Sequence, residues 1–168
     1  MKLEIKEDTA RIENMFKGLK ELSEQQVDVG LLPSAGGRLQ FILGVQTHGS
    51  PIMRIPPRPV VEPALAQADT QKAIAAGFEQ AMEAAVGGDL AGVKAGLEEA
   101  GKSGADGIRA YIDSGIAPAN SPVTVSGGWI YNRVAKKGVL VAGKGSSKPL
   151  YRTGALYSAF SYEVKKRG

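Results

Sequence analysis

A chain of 168 residues with no cysteine and a single histidine has few routes to covalent or metal chemistry. Without thiols there are no disulfides, no thiolate metal ligands and no cysteine nucleophile. His48 stands between Thr47 and Gly49 with no second histidine and no nearby carboxylate until Glu62. It is therefore expected to be a strand-end histidine satisfied by backbone or water. No Gly-x-Ser-x-Gly elbow offers a nucleophile. Glu98-Glu99 and the pair Glu79/Glu83 have helical spacing and read as solvated helix faces. Gly138-Val139-Leu140-Val141-Ala142-Gly143-Lys144 imitates the first seven positions of a phosphate-binding loop, but Gly145 replaces the hydroxyl residue that would hold Mg²⁺ and Pro149 falls where the helix should run. The sequence predicts no catalytic residue, no metal site and no cofactor.

Two groups of residues carry more information. The net charge of +4 hides a polarity: residues 1–112 carry 12 Lys/Arg against 15 Asp/Glu, whereas 113–168 carry 9 against 2. A basic final third is either a solubilising surface or one directed at something anionic. If it meets phosphates, Lys136, Lys137, Lys144 and Lys148 are the candidates, without base reading, since aromatics are not interleaved as stacking platforms. The second group lies in residues 49–63, which hold five prolines and predict an extended, semi-rigid arm. Within it Ile52, Met53 and Ile55, with Pro56, Pro57 and Arg58, are candidates for docking on a neighbouring subunit, because a solvated linker does not need those apolar side chains.

The elements that must position these residues can be read from periodicity. Ile12, Met15, Phe16, Leu19 and Leu22 fall on one stripe of a helix over about 7–24, capped by Asp8 or Thr9. Val27, Val29 and Leu31 alternate, and so do Leu39, Phe41, Leu43 and Val45 beyond the turn residues 33–37, which predicts a β-hairpin. A helix opens near Val60 with Pro63 in its first turn and carries Leu65, Ala68, Ile74, Phe78, Ala81, Met82 and Ala85 on its apolar side. Gly87-Gly88 ends it, and Asp89 caps a second helix that runs to about Ser114. In that helix Gly101 and Gly104 invite the close approach of another backbone. Residues 129–134 and 139–142 suggest two strands joined at Lys136-Lys137-Gly138. Leu156, Ser158, Phe160, Tyr162 and Val164 alternate along a closing strand, expected to pair with the early hairpin, and 165–168 form a basic tail.

The predicted fold is thus α+β, a single domain in which an antiparallel sheet packs on a few helices, with long loops and the proline-rich arm. Glycine supports the loops, at 22 of 168 residues against an ordinary share of about 7%. No apolar run approaches the roughly 20 residues of a membrane span, so no membrane is involved. The charged start, Met1 to Asp8, predicts no secretory signal and residence in a cytoplasm.

The order of several short segments resembles a known family. Val29-Gly30-Leu31-Leu32-Pro33, then His48-Gly49, then Ile55-Pro56-Pro57-Arg58-Pro59 leading into a helix, is similar to the small virion-morphogenesis proteins of tailed phages and prophages. Ile112-Asp113-Ser114-Gly115-Ile116 and Asn120-Ser121-Pro122-Val123-Thr124 continue the likeness, as do Lys148-Pro149-Leu150, Thr153-Gly154-Ala155-Leu156 and Ser161-Tyr162-Glu163-Val164. Together they span about residues 27–164. The resemblance implies a non-enzymatic neck or tail-completion protein of the virion, assembled in the host cytoplasm. It would form a ring, most naturally a hexamer, against adjacent neck and tail-tube or terminator proteins, with genomic DNA passing through. Residues 126–142 depart from the family's short link and read as an inserted hairpin. The alternative is a free-standing, sequence-nonspecific nucleic-acid-binding module, which the basic charge favours and the absence of any recognisable nucleic-acid signature does not.

Overall fold

In the computed structural model the described residues are 4–132, 135–145, 147, 149–150 and 154–168. Lys148 and the Thr153 of the resemblance lie outside them, as do Arg133 and Val134. The order of elements is α1 (Glu4–Glu24), β1 (Gln25–Leu31), a 3₁₀ turn (Pro33–Ala35), α2 (Gly37–His48), α3 (Val61–Leu65), α4 (Ala68–Gly87), α5 (Leu90–Asp113), α6 (Pro122–Ser126), β2 (Gly127–Asn132), β3 (Lys137–Ala142), α7 (Ala155–Ala159) and β4 (Phe160–Lys166). The protein is mixed α+β. Its strands form two separate two-stranded sheets, β1 with β4 and β2 with β3. Among the described residues no helix is long and apolar enough to cross a membrane.

The chain divides into two compact units, one built on α1, β1, α4, α5 as far as Gly107 and β4 from Ser161, the other on Pro33–Ala64 and Ile108–Phe160. In the first unit α4 and α5 are an antiparallel pair packed through their smallest residues. A Cβ on Gly77 would meet the backbone nitrogen of Ala100 at 2.5 Å, and one on Gly96 would meet that of Ala81 at 2.5 Å. Gly18 of α1 lies against Ala85, and Gly88 lies against Asn14, so α1 also runs antiparallel to α4. The core is Ala81, Ala85, Val93 and Leu97, with Leu19, Leu22, Val27 and Val164 packed against it. Close backbone approach replaces bulky side chains here.

That packing corrects several expectations. Gly101 and Gly104 meet side chains, Tyr162 and Val29 respectively, rather than a second helix backbone; the helix–helix glycines are Gly77 and Gly96. Phe78 and Met82, placed by periodicity on the apolar side of α4, are exposed, as are Ile12 and Phe16 of α1. A helix whose partners sit on glycine and alanine turns its large residues outward. Helix α1 begins at Glu4, so Asp8 and Thr9 lie inside it rather than capping it.

Strand β1 has the predicted partner in β4. The nitrogen of Arg167 donates to Glu24 O and the Lys165 ammonium meets the Asp28 carboxylate, so the pair is antiparallel. Lys165 and Lys166 are therefore strand residues, and the expected basic tail shrinks to Arg167 and Gly168. The predicted early hairpin does not form, because 37–48 is helical. Leu39, Ile42, Leu43 and Gln46, spaced 3, 1 and 3 apart, share one side of α2 and are half-buried, while Phe41 is 71% exposed. Likewise Leu156 and Ser158 belong to α7, which starts after Gly154 in the left-handed region (φ 72°), and alternation begins only at Phe160.

In the second unit the buried apolar residues are Val60, Ala64, Ile108, Ile112, Ile116, Leu156 and Phe160. Arg109 Nη2 donates to Phe160 O at 2.5 Å, and the Tyr157 hydroxyl donates to Asp113 at 2.8 Å. A hairpin is present over 127–142 as β2–β3, antiparallel, with Trp129 opposite Leu140 and Tyr131 opposite Gly138. Its turn precedes Lys137, so Lys137 and Gly138 are strand residues rather than turn residues.

Candidate functional site

The proline arm is not one extended segment. Ser50 and Ile55 exchange backbone hydrogen bonds, Ser50 N to Ile55 O at 2.8 Å and Ile55 N to Ser50 O at 2.9 Å, closing a tight loop over 51–54. Arg54 takes φ 55° there, and Met53 N donates to Ser50 Oγ at 3.3 Å. Gly49 (φ 74°) has no room for a side chain, since a Cβ would lie 2.7 Å from Ile55 O. The closed loop holds Ile52 and Met53 at its tip, 72% and 69% exposed. Ile55 and Pro56 are half-buried beneath it, and Pro57 is exposed. A concavity of about 450 Å³ lies at its base, lined by His48, Gly49, Ser50, Pro51, Arg54, Ile55, Pro56 and Pro57. Exposed His48 ends a helix there rather than a strand.

Arg58 is an anchor rather than a docking residue. It is only 6% exposed. Its Nε donates to Pro118 O at 2.7 Å and its Nη2 to Ala119 O at 3.1 Å, with Nη1 3.5 Å from Gln46 Oε1, while its backbone nitrogen donates to Gln46 O at 2.6 Å. These acceptors are uncharged, so desolvation holds the guanidinium below its ordinary pKa. The planar fork ties the end of α2 and the 118–119 turn to the base of the arm. Sequence pattern identified a cation in an apolar segment but not that it pointed inward.

Of the four lysines proposed to face phosphates, the three described ones do not form one patch. Lys136, in the hairpin turn, and Lys137, the first residue of β3, are both exposed. Lys144 is half-buried at the opposite end of β3, roughly 20 Å away at strand rise, where its backbone nitrogen donates to Thr124 O at 3.0 Å. Lys148 is outside the described residues. Gly138–Ala142 is strand, so the phosphate-loop imitation has no cradle of convergent N–H groups. Among the described residues no three His, Cys, Asp or Glu side chains gather into a metal set.

What the sequence did not reveal is the face of the hairpin. Trp129, Tyr131 and Leu140 are all exposed, and Gly138 leaves space toward which the Trp129 ring leans, at 3.4 Å from the Cβ position. The signal was available in the two-residue spacing of Trp129 and Tyr131 and in the glycine opposite. Trp129 and Tyr131 lie on β2 and Lys136 and Lys137 follow them at the tip, so the aromatics stand near the lysines without being interleaved with them. Comparison with protein-family models, curated proteins and solved structures finds no match for this chain.

Proposed function

We propose that this protein is a structural, non-enzymatic component of a tailed-phage or prophage head–tail joint, assembling into a ring through which DNA passes and contacting adjacent neck and tail-tube proteins. The carrying observation is the closed loop 50–55, which holds Ile52 and Met53 in water on a backbone tied by paired hydrogen bonds and supported by Arg58. A loop whose shape is fixed before contact loses little entropy on docking, so its two apolar side chains act as a preorganised knob for a neighbouring subunit. The ordered sequence resemblance over residues 27–164 gives the kind of assembly.

Sedimentation across a concentration series, with negative-stain imaging, tests this. A closed ring is expected for the native chain, and Ile52→Asp with Met53→Asp should shift it toward monomer without lowering Tm. A native chain that stays monomeric at every concentration, alone and with tail tubes, would defeat the proposal. The second reading, a free-standing nucleic-acid module, is favoured by Trp129 and Tyr131 beside Lys136 and Lys137, which combine stacking faces with cations. Duplex and single-stranded DNA binding by the monomer would support it instead.

A further inference from the structure

We infer that Met53 is an oxidation site: a peroxide converts its thioether to the sulfoxide, which makes the tip of the 50–55 loop polar and keeps the chain from joining its neighbour. This rests on the proposal that the loop docks on a neighbouring subunit, and it adds a chemical switch at that contact.

The chain has no cysteine, so methionine supplies all of its side-chain sulfur. Three methionines lie among the described residues, in three different settings. Met15 is half-buried in α1. Met82 is 50% exposed on α4, where Phe78 and Val86 stand one turn to either side and share its surface. Met53 is 69% exposed, beside an Ile52 that is 72% exposed. Its exposure is built into the backbone. Ser50 and Ile55 close the loop with paired hydrogen bonds, Arg54 N donates to Pro51 O at 3.3 Å, and Met53 N donates to Ser50 Oγ at 3.3 Å. The sulfur of Met53 is therefore held in water without any local opening of the fold.

The reaction asks only that peroxide reach the sulfur. A sulfur lone pair attacks one oxygen of hydrogen peroxide, the O–O bond breaks, and the products are the sulfoxide and one molecule of water. Sulfur is oxidised by two electrons and the peroxide is reduced by two. The product is a polar group that carries a strong hydrogen-bond acceptor, and burying it against an apolar neighbour without a donor is unfavourable. None of the hydrogen bonds that close the loop uses the Met53 side chain, so the loop keeps its shape and the isolated fold keeps its stability. Only docking is lost.

The test treats the native chain, dilute enough to be unassembled, with limiting hydrogen peroxide, removes the oxidant, maps the sulfoxides by peptide mass spectrometry and then follows sedimentation over a concentration series. Met53 should be oxidised ahead of Met82 and Met15. Its sulfoxide should raise the concentration for half-assembly by about tenfold or more, the share of affinity that burying one methionine supplies. Tm should not change, and reduction by methionine sulfoxide reductases should return the original value. Met53→Gln, a polar side chain of similar length, should assemble as weakly as the oxidised chain. Met53→Leu, whatever its own half-assembly concentration, should keep it through peroxide treatment. Oxidation of Met82 or Met15 as fast as Met53 would overturn the inference, as would a Met53→Leu chain that loses assembly in peroxide. Rings that form equally well with Met53 as its sulfoxide would sink the switch and leave the ring proposal standing. A native chain that is monomeric at every concentration would remove the ring and the switch together.

Discussion

At residue scale the decisive side chain is Arg58, since its guanidinium is the one strongly buried charge in the second unit's arm and its partners are backbone carbonyls. Hydrogen bonds to charged groups contribute about 1.5–3 kcal/mol, and stranding the acceptors carries its own desolvation cost. Arg58→Met keeps the apolar stem and removes the fork, so a loss of about 2–3 kcal/mol is expected in urea titration. Arg58→Lys should recover little of it, because one ammonium cannot reproduce two divergent N–H donors. The pair Asp28–Lys165 gives a pH test in the first unit. Hydrogen bonds from Lys165 and Gln26 hold the Asp28 carboxyl below its ordinary value of 3.8, and Asp28 raises the Lys165 pKa. A depressed folded carboxyl pKa stabilises above the unfolded value and ceases to do so as pH falls through the folded one. Asp28→Asn should therefore lower Tm slightly at neutral pH, and the gap from the native chain should close as pH drops below the ordinary carboxylate range. A gap unchanged down to strong acid would show that the ion pair contributes nothing. Neither residue's role was legible beforehand: composition gives charge, whereas direction and partner come from tertiary placement.

At the scale of elements, α1, α4 and α5 were legible because apolar residues at spacings of three and four recur over five or more turns, which strands cannot mimic, although the helix expected to open near Val60 is in fact two, α3 ending at Leu65 and α4 starting at Ala68. Their orientation was less so, because the α4 side facing its partners is marked by Gly77, Ala81 and Ala85 while Phe78 and Met82 are exposed. Segment 37–48 was misread because Leu39, Phe41, Ile42, Leu43 and Val45 satisfy both periods, and a short dense run does not distinguish them. Gly154 and the five helical residues after it likewise interrupted an alternation that is genuine only from Phe160. The glycine packing yields a prediction with opposite signs in different helices. Alanine normally gains about 1 kcal/mol over glycine inside a helix. Gly44 of α2 has nothing within 4 Å of its Cβ position, so Gly44→Ala should stabilise by about 0.5–1 kcal/mol. At Gly77 or Gly96 the new methyl meets the facing helix backbone, and overpacking costing about 1–3 kcal/mol should exceed the propensity gain. Equal melting shifts for Gly44→Ala and Gly96→Ala would mean that α4 and α5 are not held at glycine distance.

For the whole molecule, the charge asymmetry visible in sequence acquires a different meaning once the residues are placed. Lys165 and Lys166 are engaged with Asp28 and Glu24, while Lys136 and Lys137 stand apart from Lys144 along a strand. The sequence suggested one phosphate-facing surface, and the fold sets Lys136 and Lys137 apart from Lys144. In the proposed ring such a separation would matter, because lysines converging in every subunit would add around the circle and hold the duplex. Each phosphate contact steepens the fall of log K with log salt by about 0.9. The proposed ring should accordingly bind duplex DNA weakly, with no more than about two such contacts per subunit, and Lys136→Glu with Lys137→Glu should lower that slope. Assembly through the apolar Ile52 and Met53 of the 50–55 loop should depend far less on salt, because screening, which acts within about 8–10 Å, weakens contacts between charges. Measuring duplex affinity and sedimentation over the same salt series separates the two. Sedimentation that shifts to monomer with rising salt in step with the loss of DNA binding would show that charge, rather than the 50–55 loop, joins the subunits.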